Sequence, residues 1–549
     1  MSTYIDKLLI LKNIDFDIEK VISMCYNIVY NKSNGGIYMT PKVYSAGVFG
    51  IDGYLVTVET DATNGLPSVE IVGLPDTAVK ESKERVKSAI RNSGLSFPQK
   101  RLVVNLAPAN IKKESVYLDL PISIAILMSA GQIVNDSIGD YLVVGELALD
   151  GSLRGASGVL PMVMCARSQG IGNVIVPAQN ASEAAVVSGV NVYGADNLAQ
   201  VVAHLQGLEL MEKTQVDIDA IFADNSSYID DFADVKGQEG AKRAIEVAAA
   251  GGHNVLMIGS PGTGKTMLAK RIPSVLPDLS FEEALEVTKI YSIAGLLNSE
   301  LPLITVRPFR SPHHTVSGVA MTGGGTVPRP GEMSLGHRGV LFLDEFPEFR
   351  KDAIEAMRQP LEDGSFTVTR ASGSATFPSS VMLVASMNPC KCGYYGDPVR
   401  ECTCTAASIQ TYLSKISGPV LDRFDIQVEV PAVKYDDISS SHKGRTSAEI
   451  RANVERARGI QLERYRNDGI YSNAQLSASG IEKYCAIDEA GKQLMRNVFD
   501  TLGLSARAHS RILKVARTIA DLAGSENIRT EHIAEAIQYR GLDKKYWFN

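Results

Sequence analysis

The sequence predicts an α/β protein in several domains, on three observations. Short β-rich runs alternate with helical ones through residues 43–208, and a glycine-rich loop at residues 259–266 lies between an apolar strand and a helix. Two more strongly apolar runs end in Asp344-Glu345 and in Asn388. Together they imply a first α/β domain, then a doubly wound parallel sheet with its chemistry at strand ends, then a helical, charged C-terminal region.

The chain has 549 residues, enough for about three domains. Its 55 Lys+Arg against 62 Asp+Glu leave a net charge of −7, and 45% of its residues are hydrophobic, which excludes a disordered or collagen-like chain. The mildly acidic balance argues against a globally basic coat for nucleic acid, so such a contact would need a local patch or a lined channel. No run of about 20 apolar residues and no signal-peptide core is present, so no membrane partner and a cytoplasmic location are expected.

Residues 1–42 lack the turn and strand punctuation of residues 43–208 and read as an N-terminal extension. Gly35-Gly36 can be encoded as a purine-rich stretch shortly before Met39, so a start at Met39 and a genuine extension are both open. In residues 43–208, Leu55-Val56-Thr57-Val58-Glu59 and Leu102-Val103-Val104-Asn105-Leu106 read as strands, with helices at 77–93, 120–130 and 159–169. A strand run at 141–149 and the buried run Val174-Ile175-Val176-Pro177 complete this domain. Residues 209–230, acidic and serine-rich, read as a linker. A second domain follows at 231–435 and a helical one at 436–549.

Gly259-Ser260-Pro261-Gly262-Thr263-Gly264-Lys265-Thr266 has the GxxxxGK[ST] pattern in its required strand–loop–helix context. Backbone amides of such a loop wrap phosphates at a helix N-terminus, Lys265 offsets the β- and γ-phosphate charge of ATP, and Thr266 ligates Mg2+. Gly339-Val340-Leu341-Phe342-Leu343-Asp344-Glu345 is too apolar for an edge strand, and carboxylates at a buried strand end call for a cation. Asp344 is therefore assigned to the magnesium shell and Glu345 to polarising the attacking water, against the alternative of solvated strand-end acids. Asn388, after the run 381–387, either holds the water or γ-phosphate in line or caps a turn before Pro389. Arg423 and Arg507 are candidates for stabilising transition-state charge, or else surface ion pairs.

These residues resemble the YifB/ComM family of magnesium-chelatase-like AAA+ ATPases over nearly the whole length. The stretches Gly73-Leu74-Pro75-Asp76-Thr77-Ala78-Val79-Lys80-Glu81-Ser82, Arg307-Pro308-Phe309-Arg310-Ser311-Pro312-His313-His314 and Pro330-Gly331-Glu332-Met333-Ser334-Leu335 carry the match beside the phosphate loop. The resemblance implies that Arg423 is an arginine finger acting on a neighbour's ATP, that Arg507 is the sensor-2 arginine of a helical lid, and that six subunits form a ring. It further implies an N-terminal domain like that of Lon protease (ribosomal S5 domain 2-like). Where Lon carries its nucleophilic serine and catalytic lysine, this sequence has Ile122, after Asp119-Leu120-Pro121, and Leu160. Among relatives with this architecture the described activity is DNA branch migration in natural transformation. The alternative is remodelling of a protein partner in the manner of a magnesium-chelatase ATPase subunit.

For DNA, Arg307 and Arg310 lie in a loop-rich insertion, and Arg370 lies near the tip of a hairpin formed by 366–370 and 375–377. Arginines along a ring channel would neutralise phosphates without reading sequence, and subunit-interface ion pairs are the competing reading. Cys390, Cys392, Cys402 and Cys404 place four of seven cysteines within fifteen positions, enough for one structural Zn2+, with free thiols as the alternative. Cys25, Cys165 and Cys485 read as packing residues.

Overall fold

The computed structural model describes residues 41–113, 116–224, 230–298, 300–325, 328–370, 373–433, 444–502 and 505–547. The extension, Met39 and Cys25, the hairpin tip Ala371-Ser372 and part of the expected linker fall outside them.

Alternating apolar residues build an N-terminal mixed sheet from β1 (Lys42–Phe49), β2 (Asp52–Thr63), β3 (Ser68–Val72), β4 (Arg101–Ala107), β5 (Tyr141–Val143), β6 (Asn173–Pro177) and β7 (Asn191–Ala195), in the order β3-β4-β2-β1-β5-β6-β7. β1 and β2 are antiparallel and joined by the two-residue turn Gly50-Ile51, in which Gly50 has φ +64°. The helices that cover the sheet include α1 (Thr77–Asn92), α2 (Asp119–Ser129) and α3 (Val159–Ser168). α1 starts where Asp76 accepts a 2.8 Å hydrogen bond from the Val79 amide, and it buries Val79, Val86, Ala89 and Ile90. α2 is buried on every side from Asp119 to Leu127, so it forms the centre of this domain's core.

Two expectations need correction. The run 141–149 is not one strand, because the chain turns at Gly145 and residues 146–147 pair with 153–154 in a separate ribbon. A Cβ at Gly145 would come within 2.8 Å of the Leu153 side chain, so the close approach of the two segments requires glycine. The stretch 209–230 is not a bare linker. Thr214 donates to Val192 of β7, and α4 (Ile218–Asp224) packs Ile218 and Phe222 against a cluster containing Leu279, Val287 and Leu303. Its few apolar residues fall at helical spacing, so a short docked helix forms within acidic sequence.

The second sheet is wholly parallel. It comprises β8 (Val255–Ile258), β9 (Phe309–Arg310), β10 (Val340–Leu343), β11 (Met382–Met387) and β12 (Ile426–Glu429), in the order β9-β10-β11-β8-β12. Both faces are covered, which explains the uninterrupted apolar runs. Val255, Met257, Val340, Phe342 and Val384 face a core shared with α5 (Glu239–Gly251). Leu256, Ile258, Leu341, Leu343 and Ala385 face a second core with Phe346, Phe349 and Phe424. The C-terminal helices α7 (Ser447–Arg464), α8 (Ala506–Leu522) and α9 (Thr530–Gln538) contribute Val454, Ile512, Ala516 and Ile533 to the first of these cores. The fold is a Lon-like α/β domain, a P-loop AAA+ sheet and a helical lid. None of the described helices is long and apolar enough to cross a membrane.

The hairpin Ser365–Arg370/Gly373–Pro378 stands apart from this sheet. Its Phe366, Ala375 and Phe377 pack with Phe49 and Ile51 at the β1–β2 turn of the first domain. The domains also meet where Gly158 donates to the Ser292 carbonyl at 3.0 Å and Lys289 pairs with Asp52 at 2.6 Å.

Candidate nucleotide site

Parallel register brings the C-terminal ends of β8, β10 and β11 together, with Ile258 opposite Met387 and Leu343 opposite Ala385. Ligand sites of open α/β sheets form at such ends. The glycine-rich loop leaves β8 and turns into α6 (Lys265–Arg271). Gly259 must be glycine, since a Cβ there would lie 2.3 Å from the Val430 carbonyl oxygen. Gly264 has φ +90° and caps α6, a left-handed conformation that aims the following amides along the helix axis.

The side chains predicted from sequence converge here. Lys265 is buried and donates to the carbonyls of Gly259 at 2.7 Å and Ser260 at 3.0 Å, and to Asn388 Oδ1 at 3.3 Å. Burial pushes its pKa down while the nearby Asp344 carboxylate opposes the shift. Thr266 Oγ1 donates to Asp344 Oδ2 at 2.8 Å, and the other Asp344 oxygen accepts from Ser386 Oγ and from the Glu345 amide. Hydroxyl and carboxylate thus meet at the phosphate side of the loop, as a hard, oxygen-ligated cation requires. Glu345 has φ +52°, an uncommon left-handed conformation for a residue with a side chain, and its carboxylate lies 3.8 Å from His314 Nδ1.

A cavity of ≈ 490 Å³ opens over Ser260, Pro261, Gly262, Thr263 and Gly264. Its far walls are Val235 and Gln238 on one side and Tyr394, Asp397 and Arg400 on the other. Gln238, at φ +61°, donates to the Thr263 carbonyl at 3.3 Å and to that of Pro431, tying the loop to the end of β12. None of these wall residues is among those predicted from sequence. The cysteine spacing marked the 390–404 segment, but local sequence holds no sign that it folds back over the phosphate loop.

Arg423 and Arg507 lie elsewhere. Arg423 forms an ion pair with Glu362 and is mostly buried, with its Nε lacking a hydrogen-bond partner. Arg507 is exposed and reaches Asp422 Oδ2 at 3.4 Å. Arg507 thus meets Asp422, the chain neighbour of Arg423, and neither arginine lines the cavity above the phosphate loop of its own chain.

The three candidate DNA contacts differ. Arg307 is held by the carbonyls of Pro277, Arg338 and Asp278 and by Glu283, and Arg310 makes a two-pronged pair with Glu332 at 2.7 and 2.9 Å. Both are engaged by partners inside the chain, Arg307 with Glu283, which also meets Arg338, and Arg310 with Glu332. Arg370 is exposed on the hairpin and, among the described residues, donates to the carbonyls of Gly325 and Thr369, at 3.3 and 3.4 Å.

The four cysteine sulfurs lie within 4.8 Å of one another. Cys390, Cys392 and Cys402 are 3.3 to 3.6 Å apart, and the Cys392 amide points at Cys404 Sγ at 3.4 Å. A tetrahedral Zn–S bond of about 2.3 Å sets sulfurs about 3.8 Å apart, whereas a disulfide needs about 2.05 Å. The cluster fits one zinc and is not disulfide-bonded. Cys485 is a buried core residue.

Sequence comparison agrees with this arrangement. Three family models match: "Subunit ChlI of Mg-chelatase" over residues 58–180, "Magnesium chelatase, subunit ChlI" over 231–438 and "Magnesium chelatase, subunit ChlI C-terminal" over 444–540. The chain is 42% identical over 504 residues to competence protein ComM of Haemophilus influenzae, covering 91% of this chain and 97% of that protein. It is likewise 42% identical over 504 residues to YifB of Escherichia coli, with the same coverage. A shorter match, 26% identical over 195 residues, or 35% of this chain and 25% of the other, is to "Probable DNA helicase MCM9" of Arabidopsis thaliana. With the phosphate loop, the strand-end acids and the helical lid in place, the chain belongs to the YifB/ComM family of magnesium-chelatase-like AAA+ ATPases.

Proposed function

We propose that this protein is an ATP-driven DNA motor of the cytoplasm that works as a six-membered ring and extends heteroduplex by branch migration. The observation that carries its ATPase half is the convergence of Lys265 with Asn388 and of Thr266 with Asp344 at neighbouring strand ends. Lys265, now resting on loop carbonyls, moves to the β- and γ-phosphates. Thr266 and Asp344 would hold Mg2+, which offsets charge on the phosphate oxygens. Glu345 polarises the attacking water and Asn388 keeps it in line. Arg423, which does not line its own chain's cavity, supplies positive charge to the adjoining subunit's ATP as an arginine finger, which is why a ring is needed, and Arg507 serves as the sensor-2 arginine of the lid.

Support for DNA as the substrate comes from the family's ComM and the shorter match to a protein named as a DNA helicase. The exposed Arg370 on the two-stranded hairpin is a suitable phosphate contact. The second reading, remodelling of a protein partner, is favoured by the magnesium-chelatase family models. We assign no peptide hydrolysis to the Lon-like domain, in which Ile122 and Leu160 are fully buried and apolar.

Steady-state ATP turnover with and without single-stranded or branched DNA separates the two readings. The DNA reading expects stimulation that declines with salt and falls in Arg370→Ala. Turnover that responds to a protein partner and ignores DNA would establish the second reading instead.

A further inference from the structure

Between the end of β11 at Met387 and the helix Ala406–Leu413, the chain runs without a regular element. A stretch that long needs some other constraint to hold one shape. Its two ends are drawn together by the sulfur cluster, and its middle lies on the phosphate loop. Gly393, at φ +89°, packs so closely that an added Cβ would sit 2.5 Å from Pro261 Cδ. Ser260 Oγ donates to Asp397 Oδ2 at 2.6 Å. The same carboxylate accepts the amides of Val399 and Arg400, each at 2.9 Å, so the turn that presents Arg400 is built on Asp397. Arg400 in turn lies over the Tyr394 ring, 5.2 Å from its centroid, and donates to the Tyr394 hydroxyl at 2.7 Å.

We propose that a metal ion on Cys390, Cys392, Cys402 and Cys404 holds one wall of the nucleotide cavity, with Asp397 as the positioning residue, so that ATP affinity follows metal occupancy. The inference rests on the proposed ATP site and gives the cysteine cluster a role in it. With the sulfurs bridged, the loop ends are fixed and Asp397 meets Ser260 at no further ordering cost. With the metal removed, four thiols lose their common partner and the wall of Tyr394, Asp397 and Arg400 is free to leave the cavity.

The test uses the full-length protein, metal analysis and titration with a fluorescent ATP analogue in the presence of Mg2+. Untreated protein should carry one zinc per chain and bind the analogue. Stripping zinc with a thiol-directed mercurial and a chelator should weaken binding about tenfold or more, as loss of a charge-assisted contact does, and added Zn2+ should restore it. Asp397→Ala guards against a variant that fails to fold: it should keep its zinc and thermal midpoint and still bind about tenfold more weakly. Native affinity in the zinc-free protein, native affinity in Asp397→Ala, or purified protein without metal would each overturn the proposal. Untreated, zinc-loaded protein that binds no ATP would instead overturn the ATP site, and this inference with it.

Discussion

The Lon-like domain and the phosphate-loop site of the AAA+ domain handle buried charge in opposite ways. In the Lon-like domain each buried ionic group is answered within the fold. Asp119 pairs with Arg85 at 2.9 Å, Glu183 accepts from Asn180, Leu160 and Ser292, and Lys113 donates to the Pro108 carbonyl. In the AAA+ domain Lys265 rests on carbonyls of the loop it would leave, and Asp344 meets two hydroxyls and an amide. Internally closed charges stabilise a scaffold, whereas charges with replaceable partners can receive a ligand. Two similar layers of strand and helix thus carry very different chemical capacity, and fold class alone would not separate them.

The sharpest way to break this contrast is to remove the group assigned to water activation. Glu345→Gln should lower ATP turnover about a thousandfold, the usual scale for loss of a general base, while keeping ATP affinity. The matching change in the other domain, Ile122→Ser with Leu160→Lys, should yield no peptide hydrolysis, because both sites are fully buried. Turnover unaffected by the first change, or protease activity from the second, would erase the distinction.

Next in size is the closed pair of the Lon-like domain. Arg85→Met leaves the fully buried Asp119 without its cation and should cost about 3 kcal/mol near pH 8, read from the denaturation midpoint of the full chain. The cost should shrink towards pH 5, where Asp119 is protonated. Burial drives the Asp119 pKa up to about 6 from an ordinary 3.8, with the Arg85 hydrogen bond opposing. Between those values the folded chain keeps a proton that the unfolded chain has released. This group's stabilising contribution is therefore full below about pH 4 and lost as pH rises through about 6. Asp119→Asn should flatten that part of the stability profile, and an unchanged slope would show that Asp119 titrates normally.

What could be read from the sequence divides along a similar line. The phosphate loop, the Asp344-Glu345 strand end and Asn388 were legible because each is a local pattern in which glycines, an apolar run and a polar terminus lie within ten positions. Most strands and helices of the first domain were legible for the same reason. The run 141–149 was misread because the break at Gly145 answers to Leu153 and Leu120 across the core rather than to its neighbours. The in-chain partners of Arg307 and Arg310 were not legible because Glu283 and Glu332 are 24 and 22 positions away in sequence. Asp397 and Gln238 went unnoticed because a cavity wall assembled from remote loops leaves no periodic trace.

The smallest expected effect concerns the contact between the scaffold and the hairpin of the proposed motor. Phe49 fills the space beside Gly373, the cross-strand partner of Arg370, where an added Cβ would lie 2.8 Å from its ring, and it packs with Phe366, Ala375 and Phe377 along the same hairpin. If the Lon-like domain only lent bulk, loosening this contact would change nothing measurable at the ATP site, which is built from other strands. If the contact sets the angle of the hairpin, Phe49→Ala should leave basal ATP turnover at the wild-type level and reduce DNA-stimulated turnover a few-fold, roughly the effect of 1 kcal/mol of lost packing. Equal stimulation in both proteins would return the Lon-like domain to a passive role. A selective loss would show that the Lon-like domain acts on the AAA+ domain through a single aromatic side chain.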